Sequence, residues 1–155
     1  MRIAEATALR GTCDRAEVGA VAVKNNRIVA TGYNGSPPKQ PHCDPNNHYL
    51  INGHCVRTIH AEMNVICQAA KMGISLEAAT IYCTHEPCFE CLKHLQSAGV
   101  IKVIYKNAKL DKRTPDKYYD YICVIKYDEM NPDETHKKEK NQTIFESLSK
   151  TNSEK

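Results

Sequence analysis

The stretch Arg57-Thr-Ile-His-Ala-Glu-Met-Asn-Val-Ile-Cys-Gln-Ala-Ala-Lys71 has the apolar spacing of an amphipathic helix, with Ile59, Met63, Ile66 and Ala70 as its expected buried stripe. His60 and Glu62 complicate that reading. Residues two apart on a regular helix point about 200° apart around its axis. The two side chains can face one site only if His60 sits at the helix boundary, where the backbone is half helical. Pro87-Cys88-Phe89-Glu90-Cys91 imposes a similar constraint. At a helix start, cysteines three apart put both sulfurs on one side, where unpaired N–H groups and the positive helix end favour thiolates. Two thiolates and one imidazole are three ligands for one metal. A fold that serves both motifs has to bring two helix starts together.

The rest of the chain supplies elements to do so. Ile3 to Gly11 reads as a short first helix stopped by Gly11. Val18 to Val23 is a near-continuous apolar run and reads as a buried strand. Lys24-Asn25-Asn26 is a turn into a second strand, Arg27 to Tyr33, which makes a hairpin. From Asn34 to Asn52 the Pro, Gly, Asn and His content is that of a loop. The His60 helix ends near Gly73. Ala79 to Thr84 is a third strand, and Pro87 opens a helix closed by Gly99. Val100 to Tyr105 is a fourth strand, and a fifth is centred on Ile122 to Ile125. An opening hairpin followed by alternating strands and helices predicts an α/β fold with a five-stranded mixed sheet sandwiched between helices. Residues 1–127 form one domain on this reading. Residues 128–155 are a polar, charge-rich tail, partly disordered, with one weak helix at 143–150. Asn141 begins a glycosylation sequon that has little meaning in a cytoplasmic protein.

The chain has 155 residues and a net charge of +3, which argues against a phosphate-driven nucleic-acid binder. No apolar run approaches the roughly 20 residues of a membrane span. The first residues are amphipathic and lack the apolar core of a signal peptide, so a cytoplasmic protein is expected. For the 8 cysteines, metal binding is then a better first reading than disulfides. Cys67, Cys83 and Cys123 lie inside apolar patterns and read as core residues.

His60, Cys88 and Cys91 leave a fourth position open, the layout of a catalytic zinc site. Such a metal lowers the pKa of water toward neutrality, and Glu62 is a nearby carboxylate that is not a ligand and can carry the proton. Alone, a Cys-x-x-Cys is often a structural or redox pair, and a lone His-x-Glu is usually surface chemistry. Together, in this order, they form the H-x-E and P-C-x-x-C signature of zinc deaminases.

The surrounding residues are more specific. Cys13 to Pro37 (with Thr31-Gly-Tyr-Asn-Gly-Ser-Pro37 at its end), His42-Cys43, Gly53-His-Cys-Val-Arg-Thr-Ile-His-Ala-Glu62, and Pro87 to Cys91 followed by Ser97-Ala-Gly-Val-Ile-Lys-Val-Ile-Tyr105 resemble the deoxycytidylate (dCMP) deaminases, especially the bacterial and phage type. The resemblance covers roughly residues 2–106. It implies a cytidine-deaminase-like three-layer α/β/α sandwich. It implies hydrolytic attack at C4 of the cytosine of a deoxycytidine nucleotide, a tetrahedral intermediate, loss of ammonia, and a dUMP product that feeds thymidylate synthesis. On it, His60, Cys88 and Cys91 bind the catalytic Zn2+. Glu62 protonates N3 and then the leaving amino group. Gly32, Tyr33, Asn34 and Gly35 form a nucleotide-contacting turn, to which glycine and an amide are suited by close approach and by two-way hydrogen bonding.

A second, structural zinc is also implied. Cys13 and Cys43 fall on two of its positions, and His48 and Cys55 are the choices for the rest, with His42 and His54 as competitors. Independently, a loop of about 20 residues with little secondary structure needs something to hold it, and Cys/His ligands at its ends would do so. The family further implies a homo-hexamer activated by dCTP and inhibited by dTTP. Arg15, Lys24 and Arg57 are basic residues suited to phosphates, though each is also an ordinary surface charge.

The chain departs from the family in two places. It begins at Met1, close to the first helix, which predicts a shortened helix. Lys109 stands where family members often carry a tyrosine that packs on the substrate; a lysine can neutralise a phosphate, and Tyr118 or Tyr119 can supply the ring. The rival readings are a deaminase acting on dCTP or on adenosine in tRNA, and a non-catalytic nucleotide-binding zinc protein. The second would want a basic RNA-facing surface, and the last has no need of Glu62.

Overall fold

The computed structural model describes residues 1–108 and 114–129. Its elements in chain order are α1 (Arg2–Ala8), β1 (Gly19–Lys24), β2 (Arg27–Tyr33), β3 (Leu50–Ile51), β4 (His54–Cys55), α2 (Ala61–Lys71), β5 (Thr80–His85), α3 (Phe89–Ser97), β6 (Lys102–Asn107), a 3-10 turn over Asp116–Asp120, and β7 (Cys123–Lys126). Five strands form one sheet in the order β2-β1-β5-β6-β7. β1 runs antiparallel to β2 and β5, while β5, β6 and β7 are mutually parallel. The expected five-stranded mixed sheet is therefore present.

Two glycines on the hairpin show how the helices cover it. Gly19 pairs with Tyr33, and the next pair along, Ala20 with Gly32, faces the other way. A Cβ on Gly19 would lie 2.1 Å from the Ala4 carbonyl oxygen of α1. A Cβ on Gly32 would lie 2.2 Å from the Ala61 carbonyl oxygen of α2. So α1 and α2 lie on opposite faces, and α3 packs beside α2. This is the predicted three-layer sandwich. Between the sheet and α2 and α3, Val65, Ile81, Cys83, Leu92, Leu95 and Val103 are fully buried.

The close approach at Gly32 also explains a correction. The face of α2 that meets the sheet is Ala61, Val65 and Ala69 with Glu62, not Met63, Ile66 and Ala70. The Ala61 and Val65 backbone lies directly over Gly32, which sets the rotation of the helix and leaves Ile66 partly buried at the edge of the core. Cys67 is exposed, not a core residue, whereas Cys83 is fully buried. α1 stops at Ala8, short of Gly11. Pro87 lies one residue before the α3 cap.

The long loop holds a small hairpin, β3 with β4, that its composition concealed. Asn52 and Gly53, at φ 49° and φ 77°, make its two-residue turn. An Asn-Gly pair is the strongest short-range signal for such a turn. Among the described residues no helix is long and apolar enough to cross a membrane. Lys109, the sequon at Asn141 and the tail from residue 130 lie outside the described residues.

Candidate active site and metal centres

His60 is the N-cap of α2 and Cys88 the N-cap of α3, both with extended backbone (ψ 154° and ψ 164°). Neither side chain caps its helix, and both turn toward the gap between the two helix starts. There the Cys88 and Cys91 sulfurs lie 3.5 and 3.4 Å from His60 Nδ1. Zn–S and Zn–N bond lengths give a tetrahedral edge of about 3.5 Å between such atoms. The donor set and its spacing fit zinc.

The two thiols lie close together beside the His60 ring. Cys91 beside it holds Cys88 down to about 3 despite the cost of burial, with His60 helping. Cys91 is in turn pushed well up by Cys88 and by burial. Metal binding displaces the remaining proton.

Glu62, in the first turn of α2, is only 4% exposed. The positive helix end favours its carboxylate. Against it lies Cys83 of β5, whose thiol is kept protonated by burial and by the charge of Glu62. Glu62 and His60 line a cavity of about 320 Å³, whose wall includes Arg15, Asn34, Cys55 and His85. Sequence reasoning missed His85 and its neighbour Glu86, which also lines the cavity. Thr84 Oγ accepts from the Gly19 N–H at 3.0 Å and lies 3.1 Å from His85 Nδ1.

Of the Gly32 to Gly35 turn, Asn34 alone lines the cavity. Its Oδ1 accepts from Val18 N–H and its Nδ2 donates to the Ala16 carbonyl, so the amide clasps the 16–18 loop. It keeps a second N–H and a second lone pair to offer a ligand. Gly32 seats α2. The Tyr33 carbonyl accepts from Asn64 of α2. Gly35 exchanges two backbone bonds with Ile59, the residue before His60. The turn's chief structural work is to place the start of α2.

Lys24 is not brought to the cavity. It ends β1 at the end opposite Val18, and its ammonium bonds the Ser75 carbonyl. Arg57 lies over the Tyr49 ring, 4.0 Å from its centroid, and is not part of the cavity wall. Tyr118 packs edge-on against Phe89 and donates to Gln96. Tyr119, by contrast, donates to Glu86 at 3.1 Å and so reaches the cavity wall.

A second cluster stands against the same wall. One donor atom from each of Cys13, Cys43, His48 and Cys55 lies within 4.8 Å of the others. Cys43 and Cys55 sulfurs are 3.7 Å apart, close to the S···S edge of a tetrahedral zinc site, about 3.8 Å. His48 Nδ1 is buried and has no hydrogen-bond partner, which a metal would supply. Burial pushes Cys55 up, but the His48 ring and the Arg57 backbone N–H outweigh it and bring the thiol to about 6. Burial and the neighbouring Cys55 raise Cys43 to about 12. Four N and S donors fit a closed, structural metal site. His42 is exposed and outside the cluster; the His54 side chain is outside the described set.

Comparison with known proteins converges with this geometry. The family described as cytidine and deoxycytidylate deaminase zinc-binding region matches residues 1–107. ComE operon protein 2 of Bacillus subtilis (strain 168) is 48% identical over 98 residues, 63% of this chain and 52% of that protein. The chain thus spans about half the length of that relative. The deoxycytidylate deaminase of Enterobacteria phage T2 is 33% identical over 153 residues, 74% of this chain and 81% of the phage protein. The crystal structure of dCMP deaminase from the cyanophage S-TIM5 in complex with dCMP and dUMP matches with a TM-score of 0.71 and 34% identity, covering 81% of this chain and 91% of that one.

Proposed function

Because the chain belongs to the cytidine and deoxycytidylate deaminase zinc-binding family, we propose that it hydrolyses dCMP to dUMP and ammonia. The observation that carries this reading is the convergence of His60, Cys88 and Cys91 into one donor cluster, with His60 and the buried Glu62 lining one cavity. A purely structural metal site has no use for a buried carboxylate at its open side.

His60, Cys88 and Cys91 would hold zinc. When bound, the metal supplies Lewis acidity that makes water a nucleophile near neutral pH. The chain's residues do the rest. Glu62 takes the proton of the attacking water and delivers it to N3 of the cytosine; it then takes the proton of the new C4 hydroxyl and passes it to the amino group, which leaves as ammonia as the C4 carbonyl forms. Cys83, kept protonated, steadies the Glu62 carboxylate. Asn34 fixes the wall loop and offers its remaining amide capacity to the sugar or phosphate. Arg15, at the cavity rim, supplies positive charge for the phosphate.

The Cys13, Cys43, His48 and Cys55 cluster would hold a second, structural zinc. The family resemblance supports three finer features: a homo-hexamer in the cytoplasm, activation by dCTP, and inhibition by dTTP. The test is ultraviolet absorbance of dCMP with the purified, zinc-loaded protein, with and without dCTP. Conversion to dUMP, faster with dCTP, is expected. No conversion under either condition would overturn the dCMP reading.

A further inference from the structure

We propose that Asp14 is a positioning residue for the second metal: its carboxylate fixes the His48 ring so that Nδ1 faces the three cysteines. The proposal rests on the reading of Cys13, Cys43, His48 and Cys55 as a metal site. Asp14 Oδ1 lies 2.9 Å from His48 Nε2, with the His48 side chain 10% and the Asp14 side chain 41% exposed. A carboxylate only accepts, so Nε2 carries the proton. A neutral ring with its N–H on Nε2 has its lone pair on Nδ1. That Nδ1 is buried and without a hydrogen-bond partner, on a residue whose ring belongs to the thiol cluster.

Metal-ligating histidines almost always donate their other N–H to a carboxylate or carbonyl, which sets the tautomer and raises the basicity of the ligating nitrogen. Asp14 is the group at that place.

Asp14 also belongs to a stretch of four consecutive residues that each grip the 43–55 loop. The Thr12 carbonyl accepts from Cys43 N–H at 3.0 Å. Cys13 joins the thiol cluster. Asp14 holds His48. Arg15 donates to the Gly53 carbonyl at 2.9 Å. Cys13, Arg15 and Cys55 line the substrate cavity as well. The second site is therefore built into the cavity wall, and Asp14 sets the ligand that closes it.

The test uses the full chain with Cys88→Ser and Cys91→Ser, which removes two ligands of the first site and leaves the second intact. Zinc affinity is read by chelator competition. Asp14→Ala is expected to weaken binding about ten- to a hundredfold, and Asp14→Asn, which keeps an acceptor oxygen, to recover much of the loss. Equal affinity in the parent and Asp14→Ala would overturn the role of Asp14. A parent that binds no zinc would instead overturn the second-metal reading beneath it. A measurement without any Asp14 variant stands beside this one. In the zinc-loaded chain, nitrogen NMR of the His48 ring is expected to show the proton on Nε2; a proton on Nδ1 would overturn the proposal.

Discussion

Gly32→Ala perturbs the fold and the site through one contact. An added Cβ would sit 2.2 Å from the Ala61 carbonyl oxygen and 2.6 Å from the Val65 backbone nitrogen. Both neighbours are helix backbone, so no flexible side chain can yield. To reach the 3.0 Å that real Cβ atoms respect, α2 and β2 have to part by about 0.8 Å, an overpacking displacement of the kind that costs about 3 kcal/mol. For a chain of this size that is a fall in Tm of roughly 6–12 °C. The same turn of α2 carries His60 and Glu62. Moving catalytic groups by about 1 Å costs about a hundredfold in rate, so kcat/KM for dCMP should fall by about that factor. Gly73→Ala is the control. Gly73 has φ +65° and nothing within 4 Å of its added Cβ, so the left-handed backbone alone costs about 1–2 kcal/mol, with kcat/KM unchanged. The measurements are thermal unfolding and initial rates on both variants. Native Tm and native kcat/KM in Gly32→Ala would refute the claim that β2 seats the helix that carries Glu62.

Other perturbations address separate contacts. Cys83→Val fills the space beside Glu62 but removes the thiol proton; kcat should drop about tenfold, the worth of one hydrogen bond to a charged group, while circular dichroism reports a native fold. Thr84→Val leaves the buried Gly19 N–H without its 3.0 Å acceptor, and denaturant unfolding should show a loss of about 1–3 kcal/mol. The surface pair Glu5–Lys106 should give a pH-dependent coupling in a double-mutant cycle. Its hydrogen bond lowers Glu5 below 4.5 and raises Lys106 above 10.5. The coupling is then fully present between those values, lost as pH falls through the lowered Glu5 pKa, and lost as pH rises through the raised Lys106 pKa. It should also weaken in high salt; a coupling that persists in acid would contradict this.

The two metal motifs were legible because their information is local. His-x-Glu works only at a helix boundary, and His60 is the N-cap of α2. The strands were legible for a similar reason, since apolar runs and Asn-rich turns bound them. What failed depended on partners distant in sequence. The phase of α2 was misread because the Ala61 and Val65 backbone rests on Gly32, which sets the rotation of the helix. Lys24 looked suited to phosphate, but the pairing of β1 with its neighbours puts it at the end away from the cavity. His85 and Glu86 reach the wall through the register of β5 against β1, which no local pattern reveals. Asn52-Gly53 was a readable hairpin signal hidden in a loop-like composition. Asp14, a lone acidic residue beside a cysteine, gave no sign of its partner 34 positions away at His48.

The central claim is that a metal-bearing cavity uses Glu62 to move protons during deamination of dCMP. The most direct measurement compares the native chain with Glu62→Gln, recording bound zinc and dCMP turnover on the same preparations. The glutamine variant is expected to hold as much zinc as the native chain and to lose at least about a thousandfold in kcat. Native turnover in Glu62→Gln, or no turnover in the zinc-loaded native chain, would contradict the account.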